Sequence, residues 1–359
     1  MGCLCVRLLQ GSVPGRVLVV VRRDGRRAIL KIEGETDEPR ANEADQPAGS
    51  GVGAPVAFVL MAGGFSPPPL SVAAGCSLLD LRLTADSTVV DRWLWAVSTL
   101  ERAGLTGDRL CLCGGSAVLP ETTLGGFKTV LDRSDYRGPA GALRDACESI
   151  SSETTIIAAE AARCCTIDLS RMLSTHRLSG ADVTVGRNAD QSPAGIYMIS
   201  QALLATVPHA GFMDLKEQWL AQLISKGRHV QVHELREEGA IPLRTRAEFL
   251  RAVRVCNGWS EAERGGGLEP RIVRGTRRVG SVVCDGATVA ADAVLVDSLV
   301  MPGARVGAGS LVARCVVGPR GVVGAGEELL DAVVGPGGVV RDGASLSISA
   351  TDRFGRGRP

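Results

Sequence analysis

Aromatic residues are scarce in this chain, at 3% of 359 residues. That excludes a core built on stacked rings and leaves small and aliphatic side chains to fill the interior. Net charge is nearly absent, formally +1. Such a balance gives no general attraction to nucleic acid or to an anionic membrane. No apolar run reaches the roughly 18–20 residues that span a bilayer. Histidine is rare, with four residues, and none lies beyond His233. Eleven cysteines are scattered without a C-x-x-C pair, which argues against a zinc site. No secretory pattern is present and the cysteine count is odd, so a reducing cytoplasm is expected, with thiols acting as small buried hydrophobes. Met1-Gly2-Cys3 hints at acylation, but Val6 stands where the myristoylation pattern wants Ser or Thr.

What is abundant is glycine, at 45 residues, which suits turn-rich architecture. Residues 1–33 form a first segment. Within it, RVLVVVRRDGRRAILKIE from Arg16 to Glu33 reads as a β-hairpin turning at Asp24-Gly25. Residues 34–54 hold almost no large apolar side chain and read as a flexible linker. Residues 55–256 alternate strand and helix patterns. Strands are expected at Val56–Met61, Arg109–Cys113, Thr155–Ala159, Val183–Val185, Ile196–Ile199 and Val230–Leu235. Helices are expected at Val89–Ala103, Gly141–Ser149, Leu169–Arg177, Leu215–Ser225 and Ala247–Val255. Interleaving of this kind predicts an α/β domain with a mostly parallel sheet. A second linker, 257–270, follows.

Residues 271–350 carry the strictest pattern. Aliphatic residues recur at Val283, Val289 and Leu295; at Val300, Val306 and Val312; at Val317, Val323 and Leu329; and at Val334, Val340 and Leu346. Equivalent members are 17 residues apart and neighbours within a triplet are six apart. The spacing predicts a parallel β-helix of about four hexapeptide coils, with Gly286, Gly303, Gly307, Gly321 and Gly324 easing the corners. The end strands of so short a solenoid need a cap or a partner. Residues 351–359 form a basic tail.

Several stretches resemble, in order, the sugar-1-phosphate nucleotidyltransferases, the NDP-sugar pyrophosphorylases that include mannose-1-phosphate guanylyltransferases. Leu60-Met61-Ala62-Gly63-Gly64 looks like the L-A-G-G opening. Gly138-Pro139-Ala140-Gly141-Ala142-Leu143 looks like G-T-A-G-A-L, and Ala194-Gly195-Ile196-Tyr197 looks like N-A-G-I-Y. Phe212-Met213-Asp214-Leu215-Lys216 and Ala247-Glu248-Phe249-Leu250 are similar to two later helix starts. The resemblance covers roughly residues 56–346. It implies a Rossmann-like, GT-A-like nucleotidyltransferase domain followed by a left-handed β-helix. It implies nucleotide contacts at Ala62, Gly63, Gly64, Gly138 and Gly141, and a sugar-side pocket at Gly195 and Tyr197.

The charged groups that such chemistry requires are replaced. In the family a sugar phosphate oxygen attacks an NTP α-phosphorus, helped by magnesium-binding carboxylates and cations on the leaving pyrophosphate. After Gly64 come Phe65, Ser66, Pro67, Pro68 and Pro69, with Pro68 in the place of the Arg. Prolines also lack the N–H groups of a phosphate-cradling loop. Cys76 stands in the place of the catalytic Lys. Ala162 and Pro242 stand in the places of the two metal-binding Asp residues. The segment between Val185 and Ala194 is too short for the family's extra strands and their sugar-phosphate Lys. Glu160 and Asp168 remain as possible replacement ligands, against surface or helix-cap roles.

These losses favour a protein with lost or very weak catalysis. It would bind nucleotide or sugar phosphate, or act as a regulatory or scaffold subunit, as a homo-oligomer or with an active homologue. No cofactor is expected on that reading. The alternative is an active pyrophosphorylase with unconventional ligands and Mg2+. An acyltransferase built on the β-helix would need a histidine base among the coils, and residues 271–359 contain none.

Overall fold

The structure is a computed structural model. It describes residues 55–341 except 64–68, 104, 106, 115–125, 133–136, 236–238, 260–270 and 274–275. For three N-terminal strands, and for 271–273 and 276, it describes the backbone alone. Gly64, Pro67, Pro68, the turn at Asp24-Gly25, Leu346, the linker 34–54, most of the linker 257–270 and the tail 351–359 lie outside the described residues.

The N-terminal strands are β1 (Arg7–Leu8), β2 (Arg16–Val21) and β3 (Arg27–Ile32). β2 and β3 pair antiparallel, as the hairpin reading expects, and β1 adds to β2. The α/β region then runs β4 (Val56–Met61), α1 (Pro69–Ala74), α2 (Val89–Arg102), β5 (Arg109–Cys113), β6 (Lys128–Leu131) and α3 (Gly138–Ala146). It continues with β7 (Thr155–Glu160), β8 (Arg163–Cys165), α4 (Leu169–Ser179), β9 (Val183–Arg187), β10 (Pro193–Ser200) and α5 (Gln201–Leu204). A π-helical turn at Leu215–Leu220 leads into α6 (Ala221–Ser225), then β11 (Val230–Glu234), β12 (Ala240–Pro242) and α7 (Arg246–Cys256).

Seven strands form one sheet in the order β11-β9-β10-β7-β4-β5-β6. β10 runs antiparallel to both neighbours and the other pairs are parallel. Both faces are covered, so the central strands are apolar throughout. Phe58, Leu60 and Ile157 face α2, α4 and α7 through Trp93, Met172 and Phe249. Val59, Ala158 and Tyr197 face α3, α5 and the π-helical turn through Leu143, Leu203 and Trp219. Thr88 caps α2 in a reciprocal box with Asp91, which places the helix start where the apolar period begins. Burial pushes the Cys147 and Cys165 thiols up to about 12, as befits core residues.

Three parts of this region carry no clear sequence signal. β6 is mostly exposed, so it lacks the apolar face that marks a strand. β8 and β12 are three residues each and pair antiparallel outside the main sheet. The stretch after the prolines is helical: Pro69 opens α1, a position where its missing N–H costs nothing.

The C-terminal region consists of parallel ladders stacked with the predicted period. Residues 282–283 pair with 299–300, then 316–317, then 333–334. Residues 288–289 pair with 305–306, then 322–323, then 339–340. The third ladder joins β14 (Thr276–Val279) to 294–296, 311–313 and 328–330. Nine of the predicted aliphatic positions, Leu295 to Val340, form a continuous buried core. β13 (Arg271–Val273) pairs antiparallel with β14 and covers one end of the third ladder.

The coils pack directly on the α/β region. Val282, Cys284, Leu299, Met301 and Val316 join the same apolar cluster as Phe58 and Phe249. One corner column also carries charge. Gly280, Asp297, Arg314 and Asp331 occupy equivalent positions and all have positive φ. Arg254 of α7 lies 3.6 Å from Asp297, and Arg246 of α7 lies 2.8 Å from Asp331. Arg314 binds Asp331 through two nitrogens, at 2.9 and 2.5 Å. No helix among the described residues is long and apolar enough to cross a membrane.

Candidate functional site

In an open α/β sheet, ligands bind beyond the carboxyl ends of the strands, where the strand order reverses. Here the chain leaves β4 for β5 and β6 on one side, then returns to β7 on the other. The reversal lies between β4 and β7, whose last residues Met61 and Glu160 are register partners. Ala62 and Gly63 extend β4 beyond this point, and Ala161 donates its N–H to the Met61 carbonyl at 3.0 Å. A Cβ on Gly63 would come within 2.9 Å of the Gly114 nitrogen, so the two loop backbones run in close contact.

Glu160 is the centre of the arrangement. Its Oε1 lies 2.5 Å from Lys216 Nζ and accepts from the Tyr197 hydroxyl at 3.3 Å. Its Oε2 accepts from Arg163 Nε at 3.1 Å. Burial alone would push the Glu160 carboxyl up. The two cations outweigh that penalty and hold it at about 2, so it stays ionised. Burial raises Tyr197 well above its ordinary value and the neighbouring carboxylate adds to this, so the hydroxyl remains a donor. Gly195 sits directly under the ion pair with φ +68. A Cβ there would lie 2.5 Å from Arg163 Nε and 2.7 Å from Glu160 Oε2. The Gly195 and Tyr197 expected at the sugar side are therefore both brought against Glu160.

Lys216 and Arg163 were given no role by the sequence. Lys216 is positioned by Asp214, which caps the π-helical turn by accepting from the Lys216 and Glu217 N–H groups at 2.7 and 2.6 Å. The one available signal was the Asp-x-Lys of the stretch that resembles the family's late helix start. Gly138 and Gly141 serve the same support. Gly138 has φ +69, and a Cβ on it would lie 2.6 Å from the Met213 carbonyl oxygen. Ala140 donates to that carbonyl at 3.1 Å, and Met213 donates to the Arg137 carbonyl at 2.9 Å. Gly141 makes room for the buried Arg137 side chain, which binds Asp145 and the Pro208 and Gly211 carbonyls.

No family model and no curated protein matches this chain.

The remaining candidate positions are also placed. Ala162 and Pro242 are brought side by side. β8 and β12 pair with Pro242 opposite Arg163, and the Leu243 N–H donates to the Ala162 carbonyl at 3.0 Å. Asp168 is the cap of α4, accepting from Ser170 N at 2.8 Å. Cys76 is partly buried against the core, and its carbonyl accepts from the Ser71 hydroxyl.

Magnesium does not fit these residues. It needs near-octahedral oxygen ligation. Glu160 is a single carboxylate, and both its oxygens already accept from Lys216, Tyr197 and Arg163. Ala162 and Pro242 offer no side-chain oxygen. Among the described residues, no group of three or more His, Cys, Asp and Glu side chains is placed to hold a metal.

Proposed function

We propose that this chain is a divergent relative of the sugar-1-phosphate nucleotidyltransferases whose catalysis is lost or very weak. It would act by binding a nucleotide or sugar phosphate, or as a regulatory or scaffold subunit in the cytoplasm. The domain would then be GT-A-like and the coils left-handed. The observation that carries this reading is the adjacency of Ala162 and Pro242. The resemblance puts a metal-binding carboxylate at each of these positions, which are distant in the chain. A pair of metal ligands must converge in space, and these positions do, beside the switch point. Neither side chain can bind a metal. The β-helix docked on the α/β region supports the same reading.

The test is to incubate the purified chain with each NTP, Mg2+ and candidate sugar-1-phosphates and to measure pyrophosphate. The expected rate is below about 0.1 per second, against the roughly 1–1000 per second usual for enzymes. A rate above that limit would overturn the loss of catalysis.

A further inference from the structure

Arg187 ends β9 and has no role in the site described so far. Its side chain is only 8% exposed. One terminal nitrogen pairs with Glu234, its register partner on β11. Its Nε and its other terminal nitrogen are buried without a hydrogen-bond partner. Among the described residues it is the one side chain with two such atoms. Guanidinium is a permanent cation with donors only, and buried donors left unsatisfied weaken a fold unless a water or ion satisfies them.

The placement of this cation points to a ligand. Side chains on a strand alternate between faces. Tyr197 is the register partner of both Ala158 on β7 and Val185 on β9. Glu160 and Arg187 each come two residues later on those strands. Both therefore project from the Tyr197 face at the carboxyl edge of the sheet. Lys216 reaches Glu160 from the helical layer on that face. The edge thus gathers Arg163, Lys216 and Arg187 against Glu160 and Glu234.

We propose that this edge binds a phosphate group directly, through Lys216 and the two unpartnered nitrogens of Arg187, without a divalent metal. Arginine and lysine supply the charge and donors that a phosphate oxygen needs. Lys216 and Arg163 meanwhile occupy the carboxylate that a metal would have used. The inference shares the crevice with the proposed function but rests on the buried guanidinium. Inorganic phosphate can therefore bind even if the nucleotidyltransferase reading fails.

The experiment is a thermal melt of the full chain in millimolar sodium phosphate at matched ionic strength, once with EDTA and once with Mg2+. A ligand bound only by the folded state raises Tm with its concentration. The expected result is a saturable rise that is the same in both buffers. Arg187→Met should melt higher than the wild type without phosphate, because the unsatisfied donors are gone, and should not respond to phosphate. Lys216→Met, at a half-exposed position, should fold and respond at least tenfold more weakly. Parallel melts with glucose-1-phosphate and GTP identify the source of the phosphate. The proposal is overturned by a wild type that ignores inorganic phosphate, by a response that needs Mg2+, or by an Arg187→Met variant that keeps the response. An Arg187→Met variant that melts lower than the wild type in both buffers would make Arg187 structural and overturn it as well.

Discussion

In the β-helix each coil repeats its neighbour, and Leu295, Val312 and Leu329 stack because they stand 17 residues apart. In the crevice nothing repeats. Glu160, Arg163, Gly195, Tyr197 and Lys216 come from three separate parts of the chain and meet once. The first region is held by interchangeable aliphatic contacts along an axis. The second is held by a few polar contacts that converge on one carboxylate, that of Glu160. A periodic core spreads its stabilisation over many equivalent positions, whereas a polar cluster concentrates it in a few atoms.

The difference can be broken from either side. The largest effect is expected in the coils. Val317 is fully buried on the axis. Val317→Asp puts an unpaired charge there and should cost on the order of 4 kcal/mol, read as a lost or strongly shifted transition in urea. A transition close to that of the wild type would mean that the axis is not a closed core.

Glu160→Gln probes the other side. It leaves the buried Arg163 guanidinium without its counter-charge, at a cost of about 3 kcal/mol. The same residue sets an acid limb. Its carboxyl titrates at about 2 in the folded chain against an ordinary 4.5. A depressed value means that the stability it contributes is complete above pH 4.5 and is lost as pH falls toward 2. Melts recorded across that window should show a fall in the wild type that is reduced in Glu160→Gln. Equal slopes in the two proteins would remove Glu160 from the account.

The smallest effect sharpens the comparison, because it concerns charge within the coils. Asp331 and Arg314 are both about half exposed. Arg314→Gln, which leaves Asp331 its pairing with Arg246, should cost no more than about 1 kcal/mol, and the difference should shrink in high salt. Denaturation curves at low and high ionic strength measure both quantities.

The same contrast explains what could be read without coordinates. In the coils the inward positions from Leu295 to Val340 were legible, since a period of 17 identifies them and their register together, whereas of the five corner glycines only Gly286 and Gly303 take positive φ. The main strands and helices of the α/β region were legible from apolar periodicity, with ends that moved by a few residues. α1 was hidden because its first residue, Pro69, reads equally well as a helix start or a loop. At the crevice, Gly195 and Tyr197 were found through the resemblance, but their common partner was not. For Glu160 the sequence offers a substitute metal ligand or a surface or helix-cap role, and neither is its use. Its actual use depends on Lys216 and Arg163, and nothing in the local sequence around Lys216 says that it will cross to the end of β7. Arg187 was silent because an unsatisfied donor is defined only by what surrounds it in space.

One consequence of the charged corner concerns how the solenoid can change in length. Arg246 and Arg254 are eight residues apart on α7, about 12 Å along a helix. Asp297 and Asp331 are two coils apart, about 10 Å. The helix therefore works as a ruler laid along the stack, touching alternate rungs and skipping the one that carries Arg314. Duplicating or deleting a single coil between the two aspartates would move one of them off its mark. The rung after Asp331 is held too, because Pro336 packs against Gly75 at the end of α1, so a coil inserted between Asp331 and Pro336 would break that contact.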